Sequence, residues 1–360
     1  MDTVTQIALG AAVGEASLGR RVGNRALVWG AFCGLFPDLD VLVPLGDAVK
    51  AFTYHRGPSH SLFVLAALTP LFVWTILKLH PQTAACRFKW YLLVYLAFAT
   101  HVLLDALTVY GTQIFWPIPT APVMWSTVFI IDPVYSAPLF LGVLAALSMS
   151  RKSKRGHFVN SACLIVSTIY LVWSMGAKIH VTQTAHASLQ RQHIGYHKLL
   201  TVPAPFNTLL WRVLAMDDHG YYEGYYSLLD NTADLVVKHY PSNGKLLEDI
   251  TDHWPVKRLK WFTHGFYSVR QVQNHIVITD LRMGFEPTYV FRFIVGRIDD
   301  LRGIPTRSRQ IHTEYSWHQL RWVWHRIWTS EPELARNVEN DREGIDRSSD
   351  NAFHRGTVSG

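Results

Sequence analysis

The chain has 360 residues, a formal net charge of +7 at pH 7 and a mean hydropathy of +0.09, and its length leaves room for two domains. The three cysteines, Cys33, Cys86 and Cys163, lie in or beside apolar segments without Cys-x-x-Cys spacing, which argues against a disulfide framework and a thiolate zinc site. The basic residues form no stripe interleaved with aromatic residues, so the positive charge does not indicate nucleic-acid binding.

Long apolar stretches occupy the first half of the chain. Five of them approach or exceed the roughly 20 residues with which a helix crosses a bilayer. They span about 26–45, 61–79, 90–109, 128–149 and 158–177. A sixth stretch, about 3–18, is short and rich in Ala and Gly, and it fits a tilted span, a re-entrant segment or an interfacial helix. We therefore predict a mainly α-helical, polytopic membrane domain over residues 1–178, with five to six transmembrane helices.

The loops between these stretches alternate in their content of Lys and Arg. Three loops hold ten basic residues, whereas the two loops that alternate with them hold only Lys50 and Arg56. The basic loops are 19–25, 78–89 and 150–157, and the others are 46–60 and 110–127. Because basic loops stay in the cytoplasm, we predict that the first set is cytoplasmic and that the chain beyond about residue 178 is extracytoplasmic.

Beyond about residue 180 the sequence pattern is typical of a soluble domain. A polar, helical stretch leads to a proline-rich turn, and runs with period-two alternation follow between Gly, Pro and Asn residues. These runs are 235–240, 275–281 and 288–296. We predict an extracytoplasmic α+β domain with a small antiparallel sheet over residues 179–330, and a charged, disordered tail over residues 331–360.

Several ionisable side chains fall inside or next to the apolar stretches, where each costs about 2.5 to 3.5 kcal/mol to insert. They are Asp38, Asp40, His55, His60, His101, Asp105 and Asp132. The predicted topology places all of them in an outer loop or toward the outer ends of their helices. This placement on one side favours a common site.

The local sequence brings some of these groups together. His101 and Asp105 are four residues apart and Thr108 is seven from His101, so the three share one face of a helix. Pro37 interrupts helical hydrogen bonding directly before Asp38, which allows both aspartates of PDLD to turn inward.

Imidazole and carboxylate groups together suit zinc, manganese or iron better than magnesium or calcium. The candidate ligands are Asp38, Asp40, His55, His60, His101 and Asp105. Six groups exceed the four ligands of a tetrahedral zinc ion, so either two ions or one ion with surrounding His and Asp residues fit. The predicted catalytic residues are Asp38, Asp40, His101, Asp105 and Arg56. The role predicted for Arg56 is to hold an anionic group of the substrate.

Each of these residues also has a purely structural interpretation. Asp132, directly before Pro133, fits a helix N-cap. The pair of His101 and Asp105 fits a buried hydrogen-bonded pair, the aspartates of PDLD fit the end of a helix, and the histidines of the outer loop fit solvated side chains. Their joint occurrence on one face is what favours a metal site.

The first part of the chain contains the segments MDTVTQIALGAAVG, PDLD, HRGPSHS and HVLLDALTVYGT, followed by WP at 116–117. Through these segments it resembles the family of membrane-bound metal-dependent hydrolases, also described as inner-membrane hydrolases under LexA control. The resemblance covers about residues 1–135 and implies metal dependence, with the six candidate ligands on the family's motif positions. Gln6 departs from it, because the family commonly has His at this position. The His-x-x-x-Asp element also looks like one in zinc-dependent phospholipases C, which implies a lipid or phosphoester substrate.

These interpretations predict a multi-pass inner-membrane hydrolase that activates water with one or two divalent ions, zinc before manganese or iron. Its predicted partners are the lipid bilayer and a lipid-like ester or phosphoester at the outer leaflet. Two alternatives stay open: a metal or proton transporter that uses the same His and Asp residues, and a membrane scaffold with a structural metal. The near absence of ionisable groups from the cytoplasmic halves of the predicted helices favours a one-sided site over transport.

Overall fold

The computed structural model describes residues 1–149, 154–300, 302–312 and 317–329, so the predicted tail at 331–360 lies outside the described residues. The chain divides into two compact units, here called the membrane unit and the β unit. The membrane unit consists of Met1–Leu45, Ala51–Lys178 and Pro205–Thr208, and the β unit consists of Gly46–Lys50, Ile179–Ala204 and the chain from Leu209 onwards.

Apolar helices make up most of the membrane unit. The helices up to residue 191 are α1 (Thr3–Gly14), α2 (Arg20–Val22), α3 (Asn24–Leu35), α4 (Ala48–Tyr54), α5 (Leu62–Leu79), α6 (Arg87–Ala106), α7 (Pro133–Ser148) and α8 (Arg155–Arg191). A π-helical turn, Glu15–Gly19, extends α1, and 3-10 turns are formed by Phe36–Leu42, Pro58–His60 and Pro81–Cys86. In the described chain, three helical segments are long and apolar enough to cross a membrane: Leu62–Leu79, Pro81–Ala106 and Arg155–Arg191. This is fewer than the five to six spans that the sequence predicts.

The predicted span at 26–45 is not one continuous α-helix. Its α-helical part, α3, has 12 residues and ends at Leu35. Pro37 has no N–H group to donate to the preceding turn, and the chain continues as the 3-10 turn Phe36–Leu42. This tighter turn carries Asp38 and Asp40 away from α-helical geometry.

The predicted span at 128–149 is also shorter as a helix. The Asp132 carboxylate accepts hydrogen bonds from the N–H groups of Val134 (3.0 Å) and Tyr135 (3.4 Å), so that α7 begins only at Pro133. The N-cap interpretation of Asp132 is therefore confirmed. With 16 residues, α7 falls below the about 20 that span a bilayer.

Four glycines bring α1 and α3 into direct backbone contact. A Cβ atom on Gly10 would lie 2.2 Å from the carbonyl oxygen of Gly30, and one on Gly34 would lie 2.4 Å from the carbonyl oxygen of Gln6. Gly14 makes an equally close approach to the backbone of α3. Small residues at this spacing allow such close packing of membrane helices. The contact places Gln6 and Gly34 next to each other beside α6.

The β unit contains two four-stranded antiparallel sheets and a two-stranded ribbon. The first sheet has the order β1 (Lys198–Pro203), β2 (Leu210–Met216), β3 (Gly220–Ser227), β4 (Val237–Pro241). The second has the order β10 (Arg302–Ile311), β9 (Arg292–Asp299), β6 (His275–Asp280), β5 (Tyr267–Val272), and the ribbon pairs β7 (Gly284–Phe285) with β8 (Thr288–Tyr289). Two helices accompany the sheets, α9 (Trp254–Phe262) and α10 (Trp317–Trp328).

The sheet content of this unit is larger than the small sheet predicted from sequence. The alternating runs at 235–240, 275–281 and 288–296 overlap β4, β6, β8 and β9. They do not include β1, β2, β3, β5 or β10. Every residue of β2 is buried, so its sequence carries no alternation between apolar and polar positions. Period-two patterning therefore could not identify this central strand.

A buried ion pair lies between β2 and β3. The Arg212 guanidinium donates to the Glu223 carboxylate (2.9 Å) and to the carbonyl oxygen of Leu281 (2.7 Å). The hydroxyls of Tyr225 and Tyr289 donate to the same carboxylate at 3.0 and 2.9 Å. Burial, reinforced by the negative charge of Glu223, raises the pKa of both tyrosines well above the ordinary value, so both stay O–H donors at neutral pH.

Candidate metal centre

Four side chains from three separate segments of the membrane unit meet at one point. Asp38 comes from the 3-10 turn after α3, His60 from the 3-10 turn before α5, and His101 and Asp105 from one face of α6. One ligand atom of each residue lies within 4.8 Å of the others, and all four residues are buried. The same-face arrangement expected for His101 and Asp105 is what lets α6 contribute two of the four groups.

Five of the six distances between these atoms match those around a small tetrahedral cation, and the sixth, between the carboxylates of Asp38 and Asp105, is at most 4.8 Å. His60 Nε2 lies 3.2 Å from His101 Nε2, 3.2 Å from Asp105 Oδ2 and 3.4 Å from Asp38 Oδ1. His101 Nε2 lies 3.4 Å from Asp105 Oδ2 and 3.5 Å from Asp38 Oδ1. Ligand atoms each about 2.0 Å from a tetrahedral zinc ion lie about 3.3 Å from one another. The four groups can therefore hold one divalent ion without a change of fold.

The second ring nitrogen of each histidine fixes its orientation. His101 Nδ1 lies 2.7 Å from the carbonyl oxygen of Gly34, so this nitrogen carries a proton, and in the neutral ring Nε2 keeps the lone pair that a metal ion needs. His60 Nδ1 lies 2.9 Å from Ser59 Oγ, and that hydroxyl donates to Asp40 Oδ2 at 2.5 Å. Histidine ligands of metals are held in the same way, with the remote nitrogen bonded to a carbonyl or carboxylate system.

The Asp105 carboxylate divides its two oxygens between different partners. Oδ1 accepts from Gln6 Nε2 at 3.0 Å, contacts Arg56 Nη2 at 3.1 Å, and receives a hydrogen bond from the N-terminal amine of Met1. Oδ2 is buried and lies 3.2 Å from His60 Nε2 and 3.4 Å from His101 Nε2, with no further hydrogen-bond partner among the described residues. A carboxylate oxygen buried between two imidazoles is stabilised by a cation that the three groups share. The donor set and this oxygen both fit a bound metal ion.

Asp40 and His55, which the sequence also suggested as ligands, lie outside the group of four. Asp40 Oδ1 is 2.7 Å from His55 Nδ1, and Asp40 Oδ2 accepts from the backbone N–H of Arg56 (3.1 Å) and from Ser59. Asp40 therefore holds the loop that carries His60. Of the two arrangements that the sequence left open, this geometry matches one ion with supporting His and Asp residues.

The Arg56 guanidinium lies beside Asp105 and is almost completely buried. Its Nη1 also donates to Thr108 Oγ1 at 3.0 Å. Arg56 has a positive φ of 60°, which is uncommon for a residue other than glycine. This conformation lets its backbone bond Asp40 while its side chain reaches Asp105. The structure thus places Arg56 against an acidic residue of the site, whereas the sequence predicted that it binds an anionic substrate group.

Of the four residues of the site, Asp38 is the one with exposed surface in the described part of the chain. His60, His101 and Asp105 are fully buried, whereas Asp38 keeps 8% of its surface exposed. The exposed Thr3 donates from Oγ1 to Asp38 Oδ2 at 3.2 Å. Any molecule that reaches the four groups in this conformation must approach past Asp38.

Sequence reasoning missed several supporting groups. Ser59 and Thr3 stand next to motif residues but carry no signal of their own, and the Gly34 carbonyl is a backbone atom that no sequence pattern marks. Glu15, in the π-helical turn after α1, is fully buried, and its Oε1 lies 3.6 Å from His157 Nδ1. The sequence predicted that the cytoplasmic halves of the helices are nearly free of ionisable groups, and Glu15 is an exception to that prediction.

Gln6 stands where the resembled family commonly has His. Its Nε2 donates to Asp105 Oδ1 and, at 3.2 Å, to the carbonyl oxygen of His101. Gln6 lies outside the group of four, so the missing imidazole leaves these four ligands complete.

The comparisons with known proteins concern the same part of the chain. The model of a family described as YdjM inner membrane protein matches residues 1–179, which include all the residues of the site. No curated protein and no solved structure matches the chain. The apolar helices Leu62–Leu79, Pro81–Ala106 and Arg155–Arg191 agree with a membrane location. The protein is therefore a membrane protein whose first 179 residues are similar to the YdjM inner membrane protein family.

Proposed function

We propose that the membrane unit is a metal-dependent hydrolase that acts on an ester or phosphoester of lipid-like character. The observation that carries the proposal is the meeting of four buried ligand atoms within 4.8 Å of one another, with both imidazole Nε2 atoms 3.2 to 3.5 Å from the carboxylate oxygens of Asp38 and Asp105. The ion would be held by Asp38, His60, His101 and Asp105. These ligands would be oriented by hydrogen bonds with neighbouring groups, namely Asp40, Ser59, the Gly34 carbonyl and Gln6. Zinc suits two imidazoles and two carboxylates, and manganese or iron stay alternatives.

When bound, a divalent ion of this kind supplies Lewis-acid activation of water and of an ester or phosphoester group. The chain's own contribution is to hold the ligands rigidly and to exclude bulk water, since three of the four residues are fully buried. Arg56 compensates the charge of Asp105 at Oδ1, which leaves Oδ2 directed at the two imidazoles. Asp40 and Arg56 are positioning residues in this proposal.

The surroundings of Asp38 support a lipid-like substrate. Val41, Leu42 and Val43 follow the two aspartates and are 71%, 74% and 57% exposed. A substrate with an apolar chain would contact these side chains while its polar group reaches Asp38. This arrangement also gives a reason for embedding the site in a membrane domain.

The position of the site along its helices supports an extracytoplasmic opening. α5 begins two residues after His60 and ends at Leu79, and α6 begins at Arg87 and ends directly after Asp105. The basic loop at 78–89 therefore lies at the opposite end of these two helices from the site. Since basic loops stay in the cytoplasm, the site would face the other side of the membrane.

Metal analysis of the full chain, purified in mild detergent, tests the ligand set. We expect about one ion per chain in the native protein, as a four-ligand site holds, and loss of the ion in His60→Ala and Asp38→Ala. His55→Ala is the matched control, because His55 belongs to the same loop but lies outside the four. Equal metal content in all four proteins would overturn the site.

A hydrolysis assay tests the reaction. The native protein should cleave a long-chain nitrophenyl ester or phosphodiester in detergent, lose this activity with a chelator, and regain it when zinc or manganese is added. Asp38→Asn should abolish turnover while leaving the melting temperature of the metal-free protein near that of the metal-free native chain, because Asn keeps the size of the side chain at the edge of the site. Metal binding without hydrolysis of either substrate class would contradict the enzyme proposal, and unfolding on metal removal would favour the structural ion of a scaffold.

A second candidate, a metal or proton transporter, is favoured by Glu15 and His157 at the other end of α1. An ionisable pair at each end of a helix is a feature of transport pathways. Proteoliposomes that contain the full chain and an internal zinc- or pH-sensitive dye distinguish the two. Flux that Glu15→Gln abolishes would support transport, whereas hydrolysis without flux would exclude it.

A further inference from the structure

A cleft of about 770 Å³ lies within the β unit, apart from the metal centre. Strands β9 and β10 and the short segment Gly46–Ala48 form its walls. The arginines that line it are Arg297, Arg307 and Arg309. A volume of this size is typical of small-molecule sites, which span about 300 to 1,000 Å³.

The cleft carries a clear excess of positive charge. Its one acidic lining residue, Asp47, already accepts hydrogen bonds from Ser308 Oγ (2.6 Å) and from the backbone N–H of Lys50 (3.0 Å). Arg307 donates to the carbonyl oxygen of Gly46, and no acidic side chain among the described residues forms an ion pair with it. In the described chain, Arg309 has no ion-pair partner. Arg297 contacts Asp299 at 3.3 Å, but both side chains are more than half exposed, so this pair is weak and easily exchanged.

The backbone of β10 is shaped at the same place. Between Pro305 and Arg309 the register with β9 shifts, so that Thr306, Arg307 and Ser308 form a bulge on this edge strand. The Thr306 carbonyl oxygen lies 2.9 Å from His253 Nε2, which holds the bulge in place. Thr306 Oγ1 is buried and has no hydrogen-bond partner among the described residues. Bulges of this kind redirect side chains next to binding sites.

We propose that this cleft binds the phosphate-ester group of a ligand larger than phosphate itself. Guanidinium groups match phosphate oxygens in paired, charge-assisted hydrogen bonds, and three of them neutralise a phosphate monoester or diester. The cleft exceeds the size of one phosphate, so the remainder of the ligand is accommodated there too. The inference goes beyond the proposed function, because binding at this cleft does not require that the membrane unit be an enzyme.

The test measures binding of sn-glycerol 3-phosphate to the full chain in mild detergent by titration calorimetry. We expect binding that weakens with added salt and that falls about tenfold in Arg309→Gln, since a hydrogen bond between charged groups is lost. Arg302→Gln is the matched control, because Arg302 is an exposed arginine of the same strand that does not line the cleft. Its affinity should equal that of the native chain, and the metal content should be unchanged in both variants.

Phosphatidylglycerol added to the same detergent tests a lipid source of the group. Retention of this lipid by the native chain but not by Arg309→Gln, seen by native mass spectrometry, would assign the cleft to a lipid headgroup. Binding of sn-glycerol 3-phosphate alone would assign it to a soluble phosphate ester, and both results support the inference. Absence of binding by either probe, or an equal loss in Arg302→Gln, would overturn it while leaving the hydrolase proposal untouched.

Discussion

The Ser59 hydroxyl connects two groups that the sequence suggested as equivalent ligands. It contacts His60 Nδ1 and donates to Asp40. His60 therefore belongs to the site, whereas Asp40 helps to orient the His60 ring through Ser59. The difference between Asp38 and Asp40 has the same origin. The two aspartates lie two residues apart in a 3-10 turn and point in different directions. Asp38 reaches the Nε2 atoms of His60 and His101, whereas Asp40 Oδ2 lies 3.7 Å from the other ring nitrogen of His60, Nδ1.

Removal of the Ser59 hydroxyl should weaken metal binding without removing a ligand. In Ser59→Ala the His60 ring loses its link to Asp40, and loss of such an orienting contact costs about 10- to 100-fold in metal affinity. Competition with a chromophoric chelator measures this affinity in the detergent-solubilised chain. Thr75→Ala, which removes an exposed hydroxyl bonded only to its own helix, is the control. An affinity equal to that of the control would show that Ser59 does not position His60.

The buried pair of Arg212 and Glu223 should contribute much more to the free energy of unfolding than an exposed ion pair of Arg with an acidic residue. Arg212→Met leaves the Glu223 carboxylate buried without its cation, which costs about 3 to 5 kcal/mol. Arg191→Met removes the partner of Asp234, and because both side chains are largely exposed we expect a loss of at most about 1 kcal/mol. Denaturant unfolding followed by tryptophan fluorescence compares the two variants. Equal destabilisation would mean that the Arg212 pair is not held away from water.

At the scale of the elements, hydropathy located the apolar segments but not their helical limits. The stretch at 61–79 corresponds to α5, which begins after its N-cap residue Ser61 and continues through Pro70 to Leu79. The stretch at 158–177 lies inside α8, whose 37 residues extend far beyond the apolar run because a helix does not need apolar residues outside the bilayer. In the stretches at 26–45 and 128–149, Pro37 and Asp132 override the hydropathy pattern.

The close contact between α1 and α3 predicts a strong effect of one methyl group. In Gly30→Ala the new Cβ would lie 2.2 Å from the carbonyl oxygen of Gly10, and neither backbone can give way cheaply. We expect a loss of about 1 to 3 kcal/mol from overpacking, seen as a lower melting temperature in detergent. The metal affinity should fall as well, because α3 carries the Gly34 carbonyl that orients His101.

Gly176→Ala is the control for this substitution. Gly176 lies in α8 with nothing within 4 Å of an added Cβ, so alanine there should not lower the melting temperature. If both variants lower it equally, the effect of Gly30→Ala does not come from the contact between the helices.

At the scale of the whole molecule, membrane topology is the property that the sequence predicts most directly. The bias of ten basic residues against two on alternating loops predicts an extracytoplasmic chain beyond residue 178. Alkaline phosphatase fused to the C-terminus of the full chain should therefore be active, and green fluorescent protein at the same place should not fluoresce. A fusion that truncates the chain after Leu79 should give the opposite pair of results. Fluorescence of the full-length fusion would reverse the predicted orientation.

The sequence by itself determined the membrane character of the first half, the residue types of the site and the position of its motifs, because hydropathy and residue spacing are properties of a linear chain. It also indicated strands after residue 200 wherever polar and apolar residues alternate. Only the tertiary structure decided which candidate ligands meet: Asp38, His60, His101 and Asp105 form one group, whereas Asp40 and His55 lie outside it and contact each other. Pro37 and Pro58 begin the two 3-10 turns locally. Which side chains of these turns meet depends on the glycine contact of α1 with α3 and on the packing against α6, which join segments far apart in the chain.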